Sequence, residues 1–173
     1  MKLKFYYENL KDINEWIKAA DNKANFLVAF YSVLIGSLLV QMKNYIEIIK
    51  NCNCSVLFIL ISCFLLLSFF FIGKSFWHFY CVVHPRIAPR KYIKDKPKSN
   101  IFWGDIASVE FNEFKSKIQN QEINNLFSDI LSQLYINSKI CDEKFKNVKS
   151  AYRLILPTLI SLIIYTVTLK IGG

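Results

Sequence analysis

Glycine and proline are scarce in this chain: its 173 residues include five of the first and four of the second. This small number of glycines and prolines leaves no room for long flexible linkers or for the glycine-rich loop that holds phosphate in many nucleotide-binding proteins. Charged residues are also few, at 20% against about 25% in an ordinary soluble domain. The chain has instead 53% hydrophobic residues, concentrated in blocks that exclude almost every lysine. This segregation predicts a small membrane protein and excludes a disordered tail, a secreted disulfide scaffold and a large enzyme.

Residues with catalytic or metal-binding chemistry do not form a recognisable set. No paired carboxylates and no Ser/His/Asp combination lie at a useful spacing. His78, Cys81 and His84 form the pattern H-x-x-C-x-x-H, but His84 would be rotated away from the helix face of the other two. Zinc normally takes four ligands, and no second Cys/His pair completes them. We therefore predict a protein that is not an enzyme, with no catalytic residues, no metal and no cofactor.

Three stretches of the chain carry no charge, namely residues 24–42, 51–73 and 154–169. A spanning helix needs about 20 apolar residues, so the first two qualify on length alone. The third is short, but the charged ends of Arg153 and Lys170 can extend to the membrane interfaces. We predict an all-α membrane protein with spans at about 24–42, 55–73 and 152–170, forming a single unit over residues 1–173.

Basic residues are distributed unevenly around these spans. Residues 1–23 hold five lysines and residues 74–153 hold fourteen Lys or Arg, whereas the short loop 43–54 holds two. The positive-inside bias predicts a multi-pass membrane protein with residues 1–23 and 74–151 in the cytoplasm.

The predicted cytoplasmic segments carry helical apolar stripes. The first recurs at spacings of three and four from Leu3 to Ala24 and has no breaker before the first span, so we expect one long helix. The alternative is an amphipathic helix lying on the lipid surface. The second stripe runs from Ile123 to Tyr152 and leads into the third span, where Pro157 predicts a kink. Residues 105–119 predict a further helix, so the stripes would pack together in a helical bundle continuous with spans one and three.

Two small-residue patterns lie inside the predicted spans. Ser32 and Gly36 are four residues apart in the first span, a spacing that allows close helix approach within or between subunits. Hydroxyl side chains fall on one face of the third span, where they must turn away from lipid. They either bond to other helices and their own backbone or line a pore assembled from several copies. These residues are Thr158, Ser161, Tyr165 and Thr168.

A proline-containing basic segment follows the second span and predicts a loop. Arg86, Arg90 and Lys91 are among its basic residues. Attraction to anionic lipid explains such a segment without any specific geometry. Recognition of a phosphorylated small molecule is the sharper alternative, and nucleic acid is not expected as a partner.

The chain as a whole resembles the membrane effectors of Pycsar antiphage systems, small bacterial proteins encoded beside a pyrimidine nucleotide cyclase. The resemblance covers about residues 8–169 and depends on the order of three motifs around the spans. They are Glu15–Ala24 at the entry to the first span, Asn100–Ile106 after the basic loop, and a helix with Ser138, Lys144 and Phe145 before the last span.

The resemblance implies that cyclic UMP or cyclic CMP, made during phage infection, causes the effector to impair the inner membrane and so produce abortive infection. It also implies a homo-oligomer that acts on the lipid bilayer. Our candidate ligand-binding residues combine the family motifs with the basic loop: an arginine or lysine would complement the phosphate and an aromatic ring would stack on the pyrimidine. They are Asp21, Lys23, Arg86, Arg90, Lys91, Trp103, Asp105, Ser138 and Lys144.

Two other functions agree with the residues alone. The main rival is a constitutive membrane scaffold or accessory subunit whose cytoplasmic helices recruit a protein partner. A small transporter or holin-like protein is the third.

Overall fold

The structure is a computed structural model that describes residues 2–51, 56–84 and 98–172. The described residues contain six α-helices and no strand. They are α1 (Lys2–Asn51), α2 (Val56–Val83), α3 (Trp103–Ile106), α4 (Phe111–Gln119), α5 (Ile123–Arg153) and α6 (Ile155–Gly172). The predicted all-α class is confirmed.

Contacts divide the chain into two compact units. Met1–Ala20 and His84–Phe145 form one, here called the polar unit, and Asp21–Val83 and Lys146–Gly173 form the other, here called the span unit. Both α1 and α5 contribute residues to each unit. The helical segments that contain the three predicted spans are long and apolar enough to cross a membrane.

Helix α1 follows the predicted apolar stripe. Its 50 residues are helical without a break, and Leu10, Ala20, Ala24 and Leu27 on the stripe face are buried. The single long helix is therefore confirmed. The helix also continues through residues 43–51, which the charge pattern had assigned to a loop, because those residues include no Gly or Pro to end it.

In the polar unit, the stripe of α1 packs on α5 rather than lying free. The rings of Tyr6 and Phe127 are 5.4 Å apart, and those of Trp16 and Phe145 are 6.2 Å apart. Asn137 fills the missing apolar position of the α5 stripe, and its Nδ2 donates to Oδ1 of Asn14 on α1 at 2.8 Å.

The prediction of one continuous helix over residues 105–119 is wrong. It divides into α3 and α4, with Glu110 extended at φ −69° and ψ 148°. In a continuous helix the amide of Val109 would bond to the carbonyl of Asp105. That carbonyl instead accepts from the amide of Ser108 at 3.2 Å and from its hydroxyl at 2.7 Å, so the helix ends there.

The predicted kink at Pro157 corresponds to an interruption of the helix three residues earlier. Helical structure stops at Arg153 and resumes at Ile155. The amide of Leu154 bonds to the carbonyl of Ala151 at 3.1 Å, a tightened turn. Pro157 has no amide hydrogen to offer the carbonyl of Arg153, which accounts for the interruption.

In the span unit, α2 packs along α6 through a regular seam. The buried residues of α2 alternate at spacings of four and three, which is the knobs-into-holes pattern of packed helices; they are Ile61, Leu65, Ser68, Ile72, Ser75, Phe79 and Val82. The opposite faces are apolar and exposed: Val33 is 72% exposed, Leu66 69% and Ile171 71%. A helical unit with apolar residues outside is typical of a protein dissolved in lipid.

Candidate functional sites

Hydroxyl groups connect the helices of the span unit. The Ser75 hydroxyl on α2 donates to that of Tyr31 on α1 at 2.9 Å, and the Ser68 hydroxyl donates to that of Ser161 on α6 at 2.9 Å. All four side chains are buried. In lipid, apolar packing gives no hydrophobic gain between helices, so such bonds help to fix which helix faces meet.

The predicted hydroxyl face of the third span points into this interior. Thr158 and Ser161 are buried, and both donate to carbonyls of their own helical segment, Leu154 at 2.6 Å and Thr158 at 2.9 Å. Thr168 is half-buried and bonds to the Ile164 carbonyl at 2.8 Å. Within one chain, intrahelical and interhelical bonds thus satisfy these three hydroxyls, and pore lining by several copies stays a prediction.

Tyr165 differs from the rest of that face. Its side chain is completely buried, yet its hydroxyl has no hydrogen-bond partner among the described residues. A buried polar group without a partner costs about 1–3 kcal/mol.

Ser32 and Gly36 lie on the outer surface of α1. Both are exposed, and the Ser32 hydroxyl bonds to the Val28 carbonyl of its own helix at 2.8 Å. A Cβ atom placed on Gly36 would meet no atom within 4 Å. Close packing within one chain therefore does not explain this small-residue pair, and close approach between subunits stays a prediction.

A second polar cluster lies in the polar unit, around the buried side chain of Ser99. Its hydroxyl donates to Oδ2 of Asp129 on α5 at 2.9 Å and accepts from the amides of Ile101 at 3.1 Å and Phe102 at 3.0 Å. Its amide donates to Oδ2 of Asp105 at 2.8 Å. Ser99 thereby ties the start of α3 to the first half of α5.

An open cavity of about 360 Å³ lies beside this cluster, and every residue that lines it is polar or charged. They are Lys98, Asn100, Gln121, Asn125, Ser128, Asp129 and Ser132. The Asn100 amide donates to Asp129 Oδ2 at 2.8 Å, which holds one wall in place. Sequence reasoning missed these residues, although the α5 members recur at spacings typical of one helix face; such polar faces usually contact only solvent.

A cavity of about 440 Å³ in the polar unit has a different character. It is lined by Lys2, Phe5, Tyr6 and Phe127, so aromatic rings form most of its wall. The rings of Phe5 and Tyr6 are 5.3 Å apart, edge to face.

Four of the predicted ligand-binding residues lie in the polar unit, namely Trp103, Asp105, Ser138 and Lys144. Trp103 is 65% exposed at the start of α3, and Asp105, in the same turn, accepts from the Ser99 amide. The Ser138 hydroxyl bonds to the Leu134 carbonyl of its own helix at 2.7 Å. Lys144 is buried, 9% exposed, also on α5.

The remaining predicted ligand-binding residues lie elsewhere in the chain. Asp21 and Lys23 belong to the span unit, where Asp21 is half-buried and Lys23 exposed. Arg86, Arg90 and Lys91, the predicted basic-loop residues, lie outside the described residues.

The histidine pattern at the end of α2 takes part in a hydrogen bond. Nδ1 of His78 lies 3.1 Å from Oδ1 of Asn147 on α5. Within residues 2–51, 56–84 and 98–172, no three His, Cys, Asp or Glu side chains come together in an arrangement that holds a metal.

These features define a small helical membrane protein with three helices able to cross a membrane and a second unit of helices with a polar surface. The model of the Pycsar effector protein domain matches residues 5–171. The chain is also 31% identical over 152 residues to the Pycsar effector protein GmPycTM of Gulbenkiania mobilis, covering 80% of this chain and 78% of that protein. No solved structure matches. The chain belongs to the Pycsar transmembrane effector family.

Proposed function

We propose that the protein is an antiphage membrane effector that responds to cyclic UMP or cyclic CMP by impairing the inner membrane, causing abortive infection. The observation that carries this proposal is the family match, which extends over residues 5–171 and so includes both units. Three helices able to cross a bilayer support the proposal. The polar unit would be the part of the chain that binds the small signalling molecule.

The proposed topology places the N-terminus and residues 74–151 in the cytoplasm, with spans at about 24–42, 55–73 and 152–170. It rests on the basic residues, which are concentrated in those two segments. A cyclic nucleotide made in the cytoplasm would then reach the polar unit directly. The 173 residues would act together as one effector unit.

The proposed damage requires several copies of the chain. The helices of one span unit pack on each other through buried side chains, so a single copy offers no water-filled path in the packing described above. The exposed Ser32 and Gly36 face supplies a surface for close approach of a second copy. Assembly driven by ligand requires that the ligand bind the assembled state more tightly than the unassembled one.

Dye leakage from liposomes that contain the purified protein tests this function. Leakage on addition of cyclic UMP or cyclic CMP, and none with cyclic AMP at the same concentration, is the expected result. Protein-free liposomes treated with each nucleotide are the control. If neither pyrimidine nucleotide binds by calorimetry or causes leakage, the proposal is wrong and the scaffold function becomes the better account.

A further inference from the structure

We propose that the polar cavity between the Ser99 cluster and α5 is the binding site for the cyclic pyrimidine mononucleotide. This inference rests on the proposed function, because that function supplies the ligand. Its location comes from the seven lining residues, of which each carries a hydrogen-bonding side chain.

The size of the cavity fits one small molecule. Ligand sites have volumes of about 300–1,000 Å³, and this cavity, at about 360 Å³, is near the lower end of that range. A protein partner would seek aromatic and arginine anchors, and the described residues of this lining include neither.

The side chains available in the cavity suit a pyrimidine. Among the described residues, the side-chain amides of Gln121 and Asn125 have no hydrogen-bond partner of their own. Each amide offers both a donor and an acceptor. The pyrimidine edge presents an acceptor oxygen or a donor amine at position 4, so a side-chain amide can pair with either base.

The charges in the cavity also suit a monoanion. Lys98 is exposed and supplies a cation at the rim. Asp129 is the one acidic residue of the lining, and its Oδ2 accepts two hydrogen bonds, from Ser99 and Asn100. These two bonds disperse the negative charge of the Asp129 carboxylate. Lys98 can then complement the phosphodiester of the ligand.

The wall is pre-organised, which reduces the entropy lost on binding. Ser99 fixes residues 98–102 through four hydrogen bonds, three made by its buried side chain and one by its backbone amide. Asn125, Ser128, Asp129 and Ser132 all belong to α5, a helix of 31 residues. Both sides of the cavity are therefore held before the ligand arrives.

The aromatic cavity lined by Phe5 and Tyr6 is a weaker candidate for the same ligand. Its rings can stack on a base, but Lys2 and the Tyr6 hydroxyl are the only polar side-chain groups in its lining. Few groups there can read a pyrimidine edge or a ribose hydroxyl.

Isothermal titration of the full-length protein in nanodiscs with cyclic UMP and with cyclic CMP tests the site. Asn125→Leu is expected to raise the Kd of the tighter-binding nucleotide at least tenfold. Asn124→Leu is the matched control, since Asn124 is also exposed on α5 but does not line the cavity. It should change the Kd by less than twofold. Lys98→Gln should weaken binding and reduce its salt dependence, whereas Lys115→Gln, on the exposed surface of α4, should not.

The same variants in the liposome leakage assay separate this inference from the proposed function. The inference predicts that Asn125→Leu raises the nucleotide concentration needed for leakage by the factor found for binding. If Asn125→Leu binds and leaks like wild type, the site is wrong while the function stands. Loss of binding in Phe5→Ala alone would assign the ligand to the aromatic cavity and also overturn the inference. If wild type neither binds nor leaks, the function itself is wrong.

Discussion

The Ser75 hydroxyl donates to the Tyr31 hydroxyl across the α1–α2 contact at 2.9 Å, and neither side chain is exposed. Ser75→Ala would leave the Tyr31 hydroxyl buried without its donor. Bonds of this kind between membrane helices contribute about 0.6 kcal/mol on average and at most about 1.7 kcal/mol. We expect a loss of stability in this range, measured by equilibrium unfolding in detergent.

Ser37→Ala is the control for that measurement. Ser37 is exposed, and its hydroxyl bonds to the Leu34 carbonyl of its own helix at 2.7 Å. Ser37→Ala should therefore change the free energy of unfolding little. The double variant Tyr31→Phe/Ser75→Ala should lose less than the sum of the two single variants, because both remove the same bond. Additive losses would show that the bond contributes nothing.

Tyr165→Phe should act in the opposite direction to Tyr31→Phe. Both tyrosines are completely buried, but only Tyr165 lacks a hydrogen-bond partner among the described residues. Removing an unpaired hydroxyl should stabilise the span unit by about 1 kcal/mol, whereas Tyr31→Phe should destabilise it. Thermal unfolding of the two variants side by side measures this difference, and equal losses in both would contradict it.

Gly36→Leu tests the predicted contact between copies. A Cβ atom added at Gly36 meets no atom beyond its own helix backbone within 4 Å, and the same holds for Gly73 on α2. Both substitutions should therefore leave the single chain folded. Gly36→Leu should weaken assembly, measured by crosslinking and by mass determination in detergent, and Gly73→Leu should not. Equal assembly in both variants would exclude the Ser32–Gly36 face.

Ser99→Ala tests the cluster that holds the polar unit. It removes the donor to Asp129 and the acceptor of two backbone amides. We expect a loss of about 1 kcal/mol in the free energy of unfolding, because two partly buried backbone amides are left unpaired. Ser116→Ala is the control, since Ser116 is exposed on α4 and its hydroxyl accepts only a long bond of 3.5 Å from Nδ2 of the nearby Asn120. Hydrogen exchange of the Ile101 and Phe102 amides should quicken in the first variant alone.

The long-range pattern of the fold was readable from the sequence. Uncharged length located the three spans, and the three-and-four spacing located the inner face of α1 from Leu3 to Ala24. The absent amide of Pro157 located the break after Arg153. Each of these features depends on a local property repeated along one helix.

Some features arise where one side chain competes with the backbone hydrogen bonds of a helix. These features could not be predicted from the sequence. The Ser108 hydroxyl on the Asp105 carbonyl separates α3 from α4, but serine occurs inside many intact helices. The buried positions of α5 also departed from its apolar stripe: Gln133 and Lys144 are buried, whereas Ile123 is 78% exposed. Which face of α5 is covered depends on its partner, and single-chain periodicity does not contain that information.

The polar cavity was the least predictable feature. Ser99 is separated by 30 residues from Asp129 in the sequence, and neither belongs to a motif that sequence reasoning singled out as a binding site. Their meeting depends on how residues 98–102 return to α5. The glycine at position 104, close to this cluster, can be explained sterically. A Cβ atom there would lie 2.7 Å from the Phe102 ring.

The shortness of the last apolar run has a mechanical consequence for the bilayer. Residues 154–169 carry no charge, and at 1.5 Å per residue they extend about 24 Å, less than the roughly 30 Å of hydrocarbon in a typical membrane. Where the charged ends of Arg153 and Lys170 do not reach the interfaces, the surrounding lipid thins or polar headgroups move inward. One copy deforms only its own annulus of lipid. Many copies gathered together would merge these annuli into a continuous thinned area, so the same helix that a dispersed protein tolerates becomes a source of stress when the protein is concentrated.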